Sequence, residues 1–224
     1  MHAPQRAAPL MCWVVRAGLW AGALGAFVLL LASDIRLMNW RDGWFPEKPD
    51  GLLRQLLFGL RDFAQILPIV VTQIGVATYD RRRWRIIAVV LLAQFVACLG
   101  YNSGKLALVR YRPHAEIPGL GGSAPASVWE TWGGWQPGNR RGETQSFPSG
   151  HSAAAFAQAG ALGWFYPPLR WLLWLLATGC AVSRFLDGVH WPSDCLAGAA
   201  IGYVAARLAL RLLRAPSPAA GGTR

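Results

Sequence analysis

Charge is scarce in this chain, and lysine is scarcer still. Only 15% of the 224 residues are Asp, Glu, Lys or Arg, against about 25% in an ordinary soluble domain. Lysine occurs only at Lys48 and Lys105. A basic disordered tail is excluded, because such segments are poor in apolar residues. A nucleic-acid-binding domain spreads Lys and Arg over a solvated face, so no nucleic acid partner is expected. Cysteine is sparse too. Cys12, Cys98, Cys180 and Cys195 make no Cys-x-x-Cys pair, which argues against a zinc site or a disulfide framework and for small packed hydrophobes.

What remains is oil and arginine. Hydrophobic residues make up 54% of the chain, and the net charge is +11. Six apolar segments stand out, at about 13–33, 63–79, 86–104, 152–166, 171–183 and 195–210. A membrane helix needs roughly 20 such residues, and the shorter segments are expected to extend where their ends are buried in protein. Pro68 interrupts the second, which a membrane helix tolerates. The uncharged run 17–33 follows Arg6 and Arg16 but is too long for a signal-peptide core and lacks an obvious cleavage site, so it reads as a retained first span. Residues 34–50 read as a polar loop. Leu52, Leu53, Leu56, Leu57 and Leu60 then recur at helical spacing, which suggests a helix lying on the membrane surface or a packed end of the second span.

The charges assign sides. Arg6, Arg16, Arg81, Arg82, Arg83, Arg85, Arg170, Arg207, Arg211, Arg214 and Arg224 all fall at one set of span ends, with Asp80 as the single acid there. By the positive-inside rule both termini are expected in the cytoplasm. Segments 105–151 and 184–194 then face the periplasm or the outside. The loop 113–147 is rich in Gly, Pro and Trp. Its Trp129, Trp132 and Trp135 suit membrane-interface anchoring.

Three polar islands share that outer side. In the first, Lys105 and Arg112 stand seven residues apart, two helical turns on one face, before Pro113 stops the helix. Paired cations suit a phosphate, which Arg grips with two parallel bonds. In the second, Pro148-Ser149-Gly150-His151 opens the fourth span. A helix start suits an anion, Gly150 permits close backbone approach, Ser149 offers a hydroxyl, and His151 can pass a proton. In the third, Ser183 and Arg184 precede His190 and Asp194. A carboxylate on one imidazole nitrogen fixes the tautomer and frees the other for attack.

In order and spacing these islands resemble the signature of the type 2 phosphatidic acid phosphatase (PAP2) superfamily: Lys-x6-Arg-Pro, Pro-Ser-Gly-His and Ser-Arg-x5-His-x3-Asp. Lys105, Arg112, Pro113, Pro148, Ser149, Gly150, His151, Ser183, Arg184, His190 and Asp194 fill every position. The resemblance implies an all-α, integral-membrane six-helix bundle of the PAP2/haloperoxidase type, hydrolysing a lipid phosphate without metal or other cofactor. It implies His190 as nucleophile forming a phosphohistidine, Asp194 as its orienting carboxylate and His151 as acid and base. It implies Lys105, Arg112, Arg184, Ser149 and Gly150 as the phosphate cradle. One domain over 1–224 is expected, with tails at 1–12 and 212–224. A phosphotransferase using the same phosphohistidine is the alternative. A vanadate-dependent haloperoxidase fits the spans less well, and a scaffold has no use for three converging cations. His114 and Asp187 receive no role. Gly198 and Gly202 form a small-x3-small face suited to packing helices within one chain. The particular lipid and the oligomeric state are left open.

Overall fold

A computed structural model describes residues 7–45, 50–138 and 141–214, with side chains from Gly18 and from residue 21 onward. Arg6, Lys48, Arg224 and most of the expected C-terminal tail lie outside the described residues, as do the side chains of Cys12 and Arg16. The elements are α1 (Ala7–Trp44), α2 (Gly51–Asp62), α3 (Ile66–Tyr79), α4 (Arg83–Ala107), β1 (Leu108–Arg110), β2 (Trp132–Trp135), α5 (Gly150–Phe165), α6 (Arg170–Leu186) and α7 (Pro192–Leu212).

Each of the six apolar segments is helical. Among the described residues, four helical stretches are long and apolar enough to cross a membrane, and α2 with α3, bent by 57°, counts as a fifth if the pair is one broken span. The sixth, α5, has 16 residues, or ~24 Å at 1.5 Å per residue, short of the ~30 Å hydrocarbon core. It is the central helix, packed on α4, α6 and α7. Ala153, Ala155, Ala157, Ala159 and Ala161 are fully buried along it. Such small side chains let helix backbones approach closely where lipid offers little hydrophobic drive. Gly198 and Gly202 of α7 supply the other half of that contact. A Cβ would stand 2.2 Å from the Ser149 carbonyl oxygen at Gly198 and 2.1 Å from that of Ala153 at Gly202. The small-residue face therefore packs helices within the chain.

The exterior is apolar. Leu24 and Leu29 on α1, Ile66, Leu67 and Val71 on α3, Phe95 on α4 and Leu175 on α6 are all exposed. Lipid, not water, is the solvent such a surface suits.

The structure corrects four local expectations. Residues 34–44 are not loop, because α1 continues to Trp44. Asp34, Met38 and Arg41 recur at i, i+4 and i+7 and are all buried; Asp34 pairs with Arg110, and Arg41 bonds the Leu186 carbonyl and the neighbouring Asp42. The helix also begins at Ala7, inside the expected tail. Lys105 and Arg112 do not share a helix. α4 ends at Ala107, and residues 108–110 pair antiparallel with 132–135, adding a small ribbon to the helical bundle. Finally, Trp129 and Trp135 are exposed, but Trp132 turns inward, its ring 5.2 Å from that of Phe147.

Two ends of the bundle are distinguishable. At one, the Tyr166 hydroxyl donates to Asp80 (2.9 Å), which also pairs with Arg82 (3.0 Å), joining the α3–α4 turn to the α5–α6 turn. At the other, the segments around Lys105, Arg112, His151 and His190 meet, as the charge pattern predicts for loops on one side.

Candidate active site

A cavity of about 680 Å³ opens at that second end. Lys105, Arg112, Gly150, His151, Arg184 and His190 line it, along with Arg61, Ala64, Gln65, Ile66, Tyr101 and Ala154. Residues from all three islands thus reach one space, although they stand up to 85 positions apart in sequence.

Each cation is held by the backbone or by a carboxylate. The Lys105 ammonium, in the last turn of α4, donates to the Gln145 carbonyl (3.0 Å). Arg112 donates from Nε to the Gly142 carbonyl (2.8 Å) and from Nη1 to that of Val189 (3.2 Å). Arg184, in the last turn of α6, pairs through Nη1 with Asp187 at 3.0 Å. Its Nε is buried with no hydrogen-bond partner. Asp187, which the sequence leaves without a role, therefore steadies a cavity cation. His114 places Nδ1 3.3 Å from the Gly188 carbonyl oxygen and lines a neighbouring pocket instead.

Gly150 opens α5 with His151 behind it. Ser149 caps the helix: its hydroxyl oxygen accepts from the Ser152 hydroxyl (3.1 Å) and amide (3.5 Å). It is fully buried and, unlike its neighbour Gly150, does not line the cavity. The reason is the N-cap, which a Ser at this position satisfies locally.

His190 lies on the short connection between α6 and α7. Its amide donates to the Arg184 carbonyl (3.3 Å). Its Nδ1 is 3.7 Å from Asp194 Oδ2, longer than a hydrogen bond, and no other group bonds it. Burial pulls its pKa down to about 4; nearby Arg112 and Lys105 act in the same direction, and Asp194 opposes them. At neutral pH the ring is therefore uncharged and carries a free lone pair.

Asp194 is fully buried in the first turn of α7. Oδ1 accepts from Arg110 Nη1 (2.5 Å), and Oδ2 accepts from the Ser146 hydroxyl (2.6 Å) and the Trp191 amide (3.0 Å). Arg110 also reaches Asp34 of α1 at 2.6 Å. Its guanidinium lies over the rings of Trp132 (4.7 Å) and Trp191 (5.5 Å). Sequence reasoning missed Asp34, Arg110 and Ser146. The signal open to it was a lone acid at the end of an apolar run, at helical spacing from Met38 and Arg41.

Cys98, Cys180 and Cys195 are free. No group of three or more His, Cys, Asp or Glu suited to a metal ion occurs among the described residues.

A bundle of apolar helices with four cations, Arg61, Lys105, Arg112 and Arg184, and two histidines around one cavity defines a class of membrane protein. A family model of the PAP2 superfamily matches residues 82–217, well over half of the chain; the protein belongs to the PAP2 superfamily. It is 38% identical over 61 residues to the bacitracin transport permease protein BcrC of Bacillus licheniformis, covering 27% of this chain and 30% of that protein. It is also 38% identical over 58 residues to lipid A 1-phosphatase of Rhizobium etli, covering 26% and 25%. The matched segments thus span less than a third of these curated relatives. Among solved structures, Aquifex aeolicus LpxE aligns with a TM-score of 0.59 at 20% identity, over 80% of this chain and 96% of that one. A transmembrane PAP2-type phosphatidylglycerolphosphate phosphatase from Bacillus subtilis aligns with a TM-score of 0.55 at 17% identity, over 86% and 94%. These likenesses establish a shared fold, and with the apolar helices they mark a multi-pass membrane protein.

Proposed function

We propose that the protein is a lipid phosphate phosphatase, a single membrane-embedded domain that hydrolyses a phosphomonoester or diphosphate head group through a phosphohistidine. The observation that carries this reading is the convergence of Lys105, Arg112 and Arg184 on the cavity that His151 and His190 line. Cations this close repel one another unless an anion lies between them. The buried, unpartnered Arg184 Nε is a donor in want of an acceptor. A planar guanidinium suits phosphate oxygens, and fixed cations replace the charge neutralisation that metal ions supply elsewhere.

The chemistry follows from the two histidines. His190 Nε2 attacks phosphorus while Nδ1–H faces Asp194. The P–O bond to the lipid breaks, and the leaving oxygen takes a proton from the imidazolium form of His151, which the bound phosphate anion stabilises. A water molecule then gives its proton to His151 and attacks phosphorus. The P–N bond breaks, phosphate leaves and His190 regains its lone pair. Lys105, Arg112, Arg184 and the Gly150 amide hold the non-bridging oxygens as charge moves onto them. The exposed Ile66 and Leu67 beside the cavity offer lipid chains a path from the site to the bilayer.

Relatives point the same way: one is named a lipid A 1-phosphatase, and one structural neighbour a phosphatidylglycerolphosphate phosphatase. The arginine distribution supports cytoplasmic termini in the plasma (inner) membrane and a site facing the periplasm or the outside. The test is a release assay on purified protein in detergent with a panel of lipid phosphates, with and without an alcohol acceptor. Free phosphate without acceptor is expected. Strict dependence on the acceptor makes the protein a phosphotransferase, and no turnover of any lipid overturns the reading.

A further inference from the structure

We propose that Asp34 and Arg110, neither of them part of the three motifs, form a buried positioning pair that holds Asp194 and thereby sets the attack geometry of His190. The proposal rests on the roles given to His190 and Asp194 above. Asp34, Arg110 and Asp194 have no solvent exposure at all. One guanidinium joins the two carboxylates, Nη2 to Asp34 (2.6 Å) and Nη1 to Asp194 (2.5 Å). Nη1 also donates to the Ser193 hydroxyl (2.7 Å), and Nε to that of Thr131 (3.3 Å). Ser193 bonds Asp34 twice, through its amide (2.9 Å) and its hydroxyl. The guanidinium also lies over the rings of both Trp132 and Trp191.

Three buried charges are a costly way to dock a helix, since packed apolar side chains serve as well or better. The link also ends on the carboxylate that faces the nucleophile. Arg110 divides its charge between Asp34 and Asp194. With Asp34 neutral, the whole guanidinium charge falls on Asp194. That draws Asp194 toward Oδ1 contacts and weakens its pull on the His190 Nδ1–H, the proton it must hold as positive charge develops on the ring. Asp34 does not line the cavity, so its effect is expected on turnover and not on substrate binding.

The experiment uses the full chain in detergent, with kcat and KM measured on whichever lipid phosphate the wild type hydrolyses. Asp34→Asn is expected to lower kcat by about tenfold to a hundredfold, by analogy with the groups that orient metal ligands elsewhere. KM is expected to stay within about twofold and thermal unfolding close to wild type. In an Asp194→Asn background the same change is expected to cost less than about twofold more, because residues acting through one group are not additive. A folded Asp34→Asn protein with wild-type kcat, a loss confined to KM, or full additivity with Asp194→Asn overturns the proposal. If Asp34→Asn does not fold, Ser193→Ala decides: a lower kcat at unchanged KM supports the pair, and wild-type kinetics overturn it. A wild-type protein that turns over no lipid phosphate overturns both this proposal and the function it rests on, whereas an active wild type with an unaffected variant overturns this one alone.

Discussion

His190 shows what burial does to an imidazole before any substrate arrives. In water the ring is half protonated near pH 6.5. Here desolvation holds its pKa at about 4, so the ring is neutral, and nucleophilic, from about pH 5 upward. The phosphoenzyme trapped by alkaline quench is therefore expected to persist as pH falls from 7 to about 5 and to fade only toward pH 4, where the ring takes up a proton. Fading centred near pH 6.5 would oppose the assignment. His190→Ala is expected to lower phosphate release by at least about 10³-fold, the scale seen when a nucleophile is removed, while the protein still inserts and unfolds cooperatively. Ample residual turnover in that variant would sink the nucleophile assignment. At this scale the sequence was informative where a residue serves the phosphate and less so where it serves another residue. His151, His190 and the three cations line one cavity as their motif positions imply. Ser149 does not, because a serine preceding a helix meets its nearest need by capping it. Asp187 looked idle because its partner, Arg184, is already accounted for by a motif.

The α5–α7 contact sets the geometry of everything above it. Ser149, at the start of α5, donates its amide to the Asp194 carbonyl (3.0 Å), and a Cβ on Gly198 would press on the Ser149 carbonyl oxygen. A larger residue there pushes the Pro-Ser-Gly-His turn away from α7. Gly198→Val is expected to cost about 1–3 kcal/mol or more, as overpacking does, with kcat falling further than unfolding alone explains. Thermal unfolding alongside kinetics checks it, and a stable, fully active variant would show that the helices have room to part. Apolar runs gave α3 to α7 to within a few residues, because a long uncharged stretch in lipid has little choice but a helix. They misplaced the end of α1 and the fate of 108–110. Charged residues read as loop until a partner is known, and the partner of Asp34 is 76 residues away. A three-residue strand has too short a pattern to declare itself, and it forms because residues 132–135 lie beside it.

Across the whole molecule, charge is sorted by purpose. On the proposed reading the arginines on one set of turns orient the chain, and those at the cavity oppose that rule because they serve a phosphate. Orthovanadate, which takes the five-coordinate geometry of phosphoryl transfer, is expected to inhibit phosphate release, while EDTA leaves it unchanged because Lys105, Arg112 and Arg184 carry the countercharge. Strong dependence of turnover on a divalent ion would count against the mechanism. A reporter fused after Arg224 is expected to signal from the cytoplasm, and an outward signal would reverse the topology.

The sequence by itself determined the family, the places of the helices and the residues that line the cavity, because each is written in local pattern: runs of apolar residues, and three short motifs of cations and histidines. Only the tertiary structure decided what holds those motifs still. The Arg110 bridge from Asp34 to Asp194, the Asp187 brace on Arg184 and the close seating of α7 on α5 all join residues remote in the chain. Their value lies in burial and exact partners, and neither exists until the helices have packed.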